Sequence, residues 1–185
     1  MAKVKGSAVD GAVRFLAAQR EAAEPLLPTH LLHYLDETIS TASWYPEEDL
    51  VELIRVILRL IPGKRDQVLE QMGRTTAREH LERTYTHLIE HGGPRNLGIR
   101  AFTLWGAMHD SGEMHVIDQS IGSMRLSLSG YVQPSEELCK ISRGYILEVL
   151  LQNGIDAETK KLSCAVRGDD ACVWDFFWDP ESVKA

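Results

Sequence analysis

The hydrophobic period changes once along this chain, near residue 110, and that change limits the layers it can fold into. Before it, apolar residues recur at helical spacing. Leu50, Leu53, Ile54, Ile57 and Ile61 follow an acidic first turn, Glu47 to Asp49, and Val68, Leu69, Met72, Leu81, Tyr85, Leu88 and Ile89 stripe a long polar stretch. After it, Met114 to Asp118 and Ser123 to Tyr131 alternate, with Met124, Leu126 and Leu128 against Arg125, Ser127 and Ser129. A helical stripe buries one face of a helix and a period of two buries one face of a sheet, so each needs the other as cover. The class that follows is α+β, a helical layer packed on a small antiparallel sheet.

Start and stop signals divide the chain further. A helix is predicted over 8–23, ending at Pro25, and a second over 26–39 after Pro28. Ser43 offers a start signal ahead of Trp44, Tyr45 and Pro46, and Pro62-Gly63 a stop. The long helix over 66–90 ends at Gly92-Gly93-Pro94, and another covers 96–108. Asp110-Ser111-Gly112-Glu113 is turn chemistry. Pro134 breaks the second strand, Ser135 caps a helix carrying Leu138, Ile141, Tyr145, Val149 and Leu150, and Asn153-Gly154 ends it. Two last strands, 158–166 and 171–178, flank Arg167-Gly168-Asp169-Asp170. With no repeat and no linker, a single domain spans 1–185, divided into an N-terminal helical segment 1–40, a core 41–178 and a tail 179–185.

Charge removes some functions. With 27 Asp and Glu against 20 Lys and Arg the net charge is -7, the wrong sign for neutralising phosphates, so no nucleic-acid partner is expected. No membrane span is expected either, because the most apolar stretch, Leu50 to Ile61, contains Glu52, Arg55 and Arg59. Asp10 and Arg14 interrupt any signal-peptide run, and three cysteines, an odd number, suit a reducing compartment. These point to a cytoplasmic location.

The cysteines are the most specific feature. If the last hairpin turns symmetrically about Gly168, Cys164 faces Cys172, on an apolar face with Leu162, Val166, Trp174 and Phe176. Two such thiols are buried hydrophobes, a metal or redox pair, or a disulfide. Cys139, on the preceding helix, could bring a third thiolate to tetrahedral zinc, which then needs a fourth ligand.

The stretch from Pro134 to Trp178, with Cys139, Arg143-Gly144-Tyr145, Gly154 and the Cys164 to Cys172 hairpin holding Gly168-Asp169, resembles the 4-vinyl-reductase domain family. Together with Trp44-Tyr45-Pro46, Gly73-Arg74, Trp105 and Trp178 it looks like a paralogous group expanded in myxobacteria. The resemblance implies a superfamily that includes aromatic-sensor domains and transport protein particle subunits: α+β proteins that dimerise through helices and hold an aromatic or acyl ligand. It also implies structural zinc on Cys139, Cys164 and Cys172 with an acidic ligand three residues before Cys164, where this sequence has Lys161.

Trp105 and His109, four apart, share a helix face and, with Phe102, Trp44, Tyr45, Tyr131 and His115, would line a ligand pocket; the alternative is ordinary core. His80, His87 and His91 fall among Glu79, Glu82, Arg83 and Glu90 and read as a solvated stripe, so haem is not expected. There is no nucleophile elbow and no phosphate loop, and catalytic residues are not assigned. The expected function is a non-enzymatic sensor of a small hydrophobic ligand, signalling as a homodimer or through a protein partner. A ligand-free dimeric scaffold and a haem-binding or tetrapyrrole-related reductase accessory are the alternatives.

Overall fold

The computed structural model describes residues 1–83, 85–86 and 97–182, for 97–102 and 182 the backbone only. In chain order the elements are β1 (Lys3–Lys5), α1 (Gly6–Ala18), α2 (Arg20–Ala23), a 3-10 stretch (Thr29–Leu35), β2 (Trp44–Pro46), α3 (Glu47–Leu60), α4 (Arg65–Arg83), α5 (Leu97–Met108), β3 (Glu113–Gln119), β4 (Ser123–Ser129), α6 (Glu136–Gln152), β5 (Glu158–Ser163) and β6 (Ala171–Phe177). β3, β4, β6 and β5 form an antiparallel sheet in that order, and β1 and β2 form a separate two-stranded ribbon. The α+β class expected from the change of period is present.

Two cores follow from the two periods. Val9, Val13 and Leu16 of α1 meet Leu50, Leu53, Ile54 and Ile57 of α3 in a helical core. Leu126 and Leu128 of β4, with Trp174 and Phe176 of β6, pack under Ile146, Leu147 and Leu150 of α6 in the second. Between them α4 and α6 cross at backbone contact. A Cβ at Gly73 would overlap the Ile141 carbonyl, and one at Gly144 the Glu70 carbonyl. Ion pairs edge the crossing: Glu148, buried on α6, meets Arg78 at 2.6 Å and Arg74 at 3.6 Å, and Arg143 pairs with Glu70. The start of α6 matches its signal, Ser135 Oγ accepting from Leu138 N at 3.1 Å.

Several expectations fail for reasons local sequence cannot supply. The helix expected over 26–39 is the 3-10 stretch, whose buried side are Leu31, Tyr34 and Leu35. Ser43 caps nothing; its carbonyl accepts from Gly6 N at 2.9 Å, and Trp44 to Pro46 pair with Lys3 to Lys5, far upstream. His80 is not on a solvated stripe but 5% exposed. The long helix ends at Arg83, and His87 and His91 lie outside the described residues. In the final hairpin the register shifts between Lys161 and Ser163, so Cys164 leaves the ladder and Cys172 pairs instead with Leu128 of β4. That shift turns Leu162 and Val166 outward, 41% and 40% exposed, instead of placing them on the apolar face.

Candidate functional site

A cavity of about 880 Å³ lies between the helical layer and the sheet, with Phe15, Ile54 and Met72 on one side and Met108, Leu126 and Ile146 on the other. Lys64, Gln67, Gln71 and Thr75 stand exposed at its rim, where α4 begins. An interior space lined mostly by apolar side chains, with few polar groups, is the form of a small-molecule site.

One wall carries a connected polar cluster. His109, following the last turn of α5, bonds through Nδ1 to Glu47 Oε1 at 2.7 Å, and Glu47 is buried at the first turn of α3. A carboxylate only accepts, so Nδ1 carries the proton and the lone pair of the neutral ring sits on Nε2. Trp105 stacks on His109 with ring centroids 3.9 Å apart and planes 8° apart, and its indole N–H donates to Ser111 O at 3.0 Å. Tyr131 closes the cluster edge-on, 5.2 Å from Trp105 and 6.0 Å from His109. Its hydroxyl and Glu47 Oε2 are buried without a hydrogen-bond partner among the described residues. Burial first, and the Glu47 charge second, hold the Tyr131 phenol far above its ordinary value.

His80 forms a second buried polar contact. The Ser7 carbonyl accepts from Nε2 at 3.0 Å, so Nδ1 accepts from the Tyr145 hydroxyl at 3.1 Å. Burial lowers the His80 pKa, outweighing the Ser7 hydrogen bond and the Glu79 charge. Both ring nitrogens are engaged.

Of the residues proposed from sequence to line a pocket, the fold brings together Trp105, His109 and Tyr131. Trp44 is elsewhere, 42% exposed on β2 under the Lys5 ammonium. Tyr45 supports a turn, its hydroxyl accepting from Ser40 N at 3.0 Å. His115 is exposed on β3 beside Glu113, at 3.1 Å. The Phe102 side chain lies outside the described residues. Sequence reading missed Glu47, since acid in a first turn is already explained by the helix dipole and a partner 62 positions away leaves no local signal.

The three cysteines do converge. Cys139 Sγ is 3.8 Å from Cys164 Sγ, Cys164 Sγ is 4.0 Å from Cys172 Sγ, and all three sulfurs lie within 4.8 Å of one another. Lys161 Nζ donates to Cys139 Sγ at 2.9 Å and sits 3.4 Å from the centroid of the Trp174 ring. The Lys161 ammonium favours one thiolate shared between Cys139 and Cys172, against the burial of both sulfurs. A tetrahedral dication needs a fourth lone pair, and the group placed against the triad is an ammonium, which has none and repels the ion. The donor set does not fit zinc.

No family model matches the chain, and no curated protein matches it. Solved structures do. The chain has the fold of H-NOX proteins: it matches one from S. oneidensis in the Fe(II)NO ligation state at TM-score 0.70 and 14% identity, over 95% of this chain and 99% of that one. A variant of the S. oneidensis protein in the Fe(II) state matches at TM-score 0.69 and 15% identity, over 95% and 96%. A third, from a study of haem distortion in the H-NOX family, matches at 0.67 and 9%, over 95% of each chain. The resemblance to 4-vinyl-reductase domains, transport protein particle subunits and the myxobacterial group is thereby overturned. Cysteine spacing after an amphipathic helix constrains one hairpin and not the layers around it, so it did not discriminate between folds. The expectation against haem falls with it. It rested on histidines read as solvated, whereas proteins of this fold carry haem and the one of those histidines that is described is buried.

The residues present can be tested against that group. The cavity is large and apolar enough for a porphyrin, and His109 at its wall has the arrangement of a supported metal ligand, one nitrogen fixed by a carboxylate and the other bearing the lone pair. His80, with both nitrogens bonded, has no such nitrogen to offer. On this ground the site fits haem through His109.

Proposed function

We propose that this chain is a small-molecule sensor domain that holds haem in its interior cavity, with His109 as the axial ligand, and signals to a protein partner. The observation that carries this is the Glu47-backed imidazole facing an apolar cavity of about 880 Å³. Its support is the fold shared with H-NOX proteins, one of them in an NO-ligated state. Bound haem would supply an iron coordination site for a small diatomic ligand. The chain's own residues do the rest. Glu47 fixes the tautomer and direction of His109, Trp105 holds the ring plane by stacking, and the surrounding apolar side chains exclude water. The haem reading takes precedence over an aromatic or acyl ligand because a carboxylate-backed imidazole at the cavity wall is a metal-ligand arrangement, which neither of those ligands uses.

Titration of the purified chain with haemin tests this. A Soret band distinct from free haemin should saturate at about one haem per chain, and His109→Ala should lose or shift it while keeping the far-ultraviolet circular dichroism of the parent. A spectrum identical to free haemin, or one unchanged in His109→Ala, refutes the assignment.

A further inference from the structure

Away from the cavity, Cys139, Cys164, Cys172 and Lys161 form a cluster that the haem reading does not use. We propose that it is a metal-free thiol site for oxidation by peroxides, in which the Lys161 ammonium takes the place of a metal cation and Cys139 and Cys164 become a disulfide. Three observations support this. First, three sulfurs within 4.8 Å of one another are more than packing requires, and a sulfur pair at 3.8 Å needs less than about 2 Å of approach to reach bonding distance. Second, a lysine is held over the Trp174 face and donates to Cys139 Sγ at 2.9 Å. A cation beside a thiol favours the thiolate, which is the nucleophile. Third, Cys139 is half-buried while Cys164 and Cys172 are buried, so a small oxidant meets Cys139 first and the resolving sulfur already waits beneath it.

The chemistry balances with peroxide as the oxidant. The Cys139 thiolate attacks one peroxide oxygen; the S–O bond forms, the O–O bond breaks, and hydroxide leaves and takes up a proton. The resulting sulfenic acid is attacked by Cys164, forming S–S and breaking S–O, and the hydroxyl departs as water with the Cys164 proton. In sum two thiols and one hydrogen peroxide give one disulfide and two waters. The link would join the first turn of α6 to the end of β5, and Cys172 would remain a thiol.

The full-length chain treated with hydrogen peroxide, quenched, denatured and alkylated is the test. One alkylatable thiol should remain of the three, peptide mapping should find Cys139 joined to Cys164, and dithiothreitol should restore all three. Lys161→Met should slow thiol loss at least about tenfold, and Lys161→Arg should keep the rate within about threefold of the parent, since guanidinium retains the charge. Circular dichroism identifies any variant that misfolds, and Cys139→Ser in place of it should leave no disulfide. Three free thiols after treatment, a Cys164 to Cys172 link, or equal rates for Lys161→Met and the parent would overturn the proposal. So would elemental analysis finding about one zinc per reduced chain, the outcome for a metal site.

Discussion

The backbone contact between α4 and α6 is a place where a single methyl group should do harm. Gly144 of α6 packs on α4 so tightly that a Cβ would overlap the carbonyl and Cα of Glu70, which are backbone and cannot rotate away. Alanine in a helix interior is worth about 1 kcal/mol over glycine by propensity alone, so Gly144→Ala begins with a gain. Against it stands overpacking, typically about 1–3 kcal/mol and at the upper end when the obstacle is a main chain. The helices must then part, loosening Leu69, Ala77 and Tyr145, all buried near the crossing. The net expectation is a loss of about 2 kcal/mol, or about 4–8 °C in melting temperature for a chain of this size. Gly106 of α5 is the control: a Cβ there meets nothing within 4 Å, so Gly106→Ala should stabilise by about 0.5–1 kcal/mol. Urea unfolding of both variants measures the contrast. A Gly144→Ala protein as stable as the parent would show that the crossing is looser than its geometry and would refute the reasoning.

Two further expectations concern His80. Tyr145→Phe removes the hydroxyl that donates to His80 Nδ1 and leaves a buried acceptor unsatisfied, costing about 1–3 kcal/mol in urea unfolding; no loss would mean that water reaches the pair. Because burial lowers the His80 pKa below its ordinary 6.5, the unfolded chain binds this proton more readily than the folded one. The neutral imidazole's contribution is therefore whole above pH 6.5 and declines as pH falls below it, by at most about 1.4 kcal/mol per unit. His80→Gln should flatten the stability profile below pH 6.5, and parallel profiles for variant and parent would count against a neutral buried histidine.

How much of this was legible in the sequence depends on the range of each interaction. Helix α3, helix α6 with its Ser135 cap and the alternating strands β3 and β4 could be read because period and cap act within a few residues. The β1–β2 ribbon could not, since Lys3 to Lys5 show no strand pattern until Trp44 to Pro46 lie beside them. Trp105 and His109 were found together because four residues on a helix is a local relation, whereas Glu47 reaches them only through the packing of α3. Cysteine spacing brought the right three thiols to one place but, being compatible with more than one fold, pointed to the wrong family.

Helix α6 ties the features together. Its first turn carries Cys139, its middle carries Gly144 against α4, and Ile141, Ile146 and Val149 lie on the cavity wall. A rigid rod touching three places transmits displacement from any one to the others, because a close-packed interior does not absorb it locally. The α4 crossing resists movement of that rod, through glycine contact and the ion pairs of Glu148 with Arg74 and Arg78. Occupancy of the cavity and oxidation at Cys139 therefore act on the same element. If so, loosening the crossing by Gly144→Ala should change haemin affinity and the rate of thiol oxidation together, while Gly106→Ala changes neither. Independent responses would mean that the helix is only a shared wall.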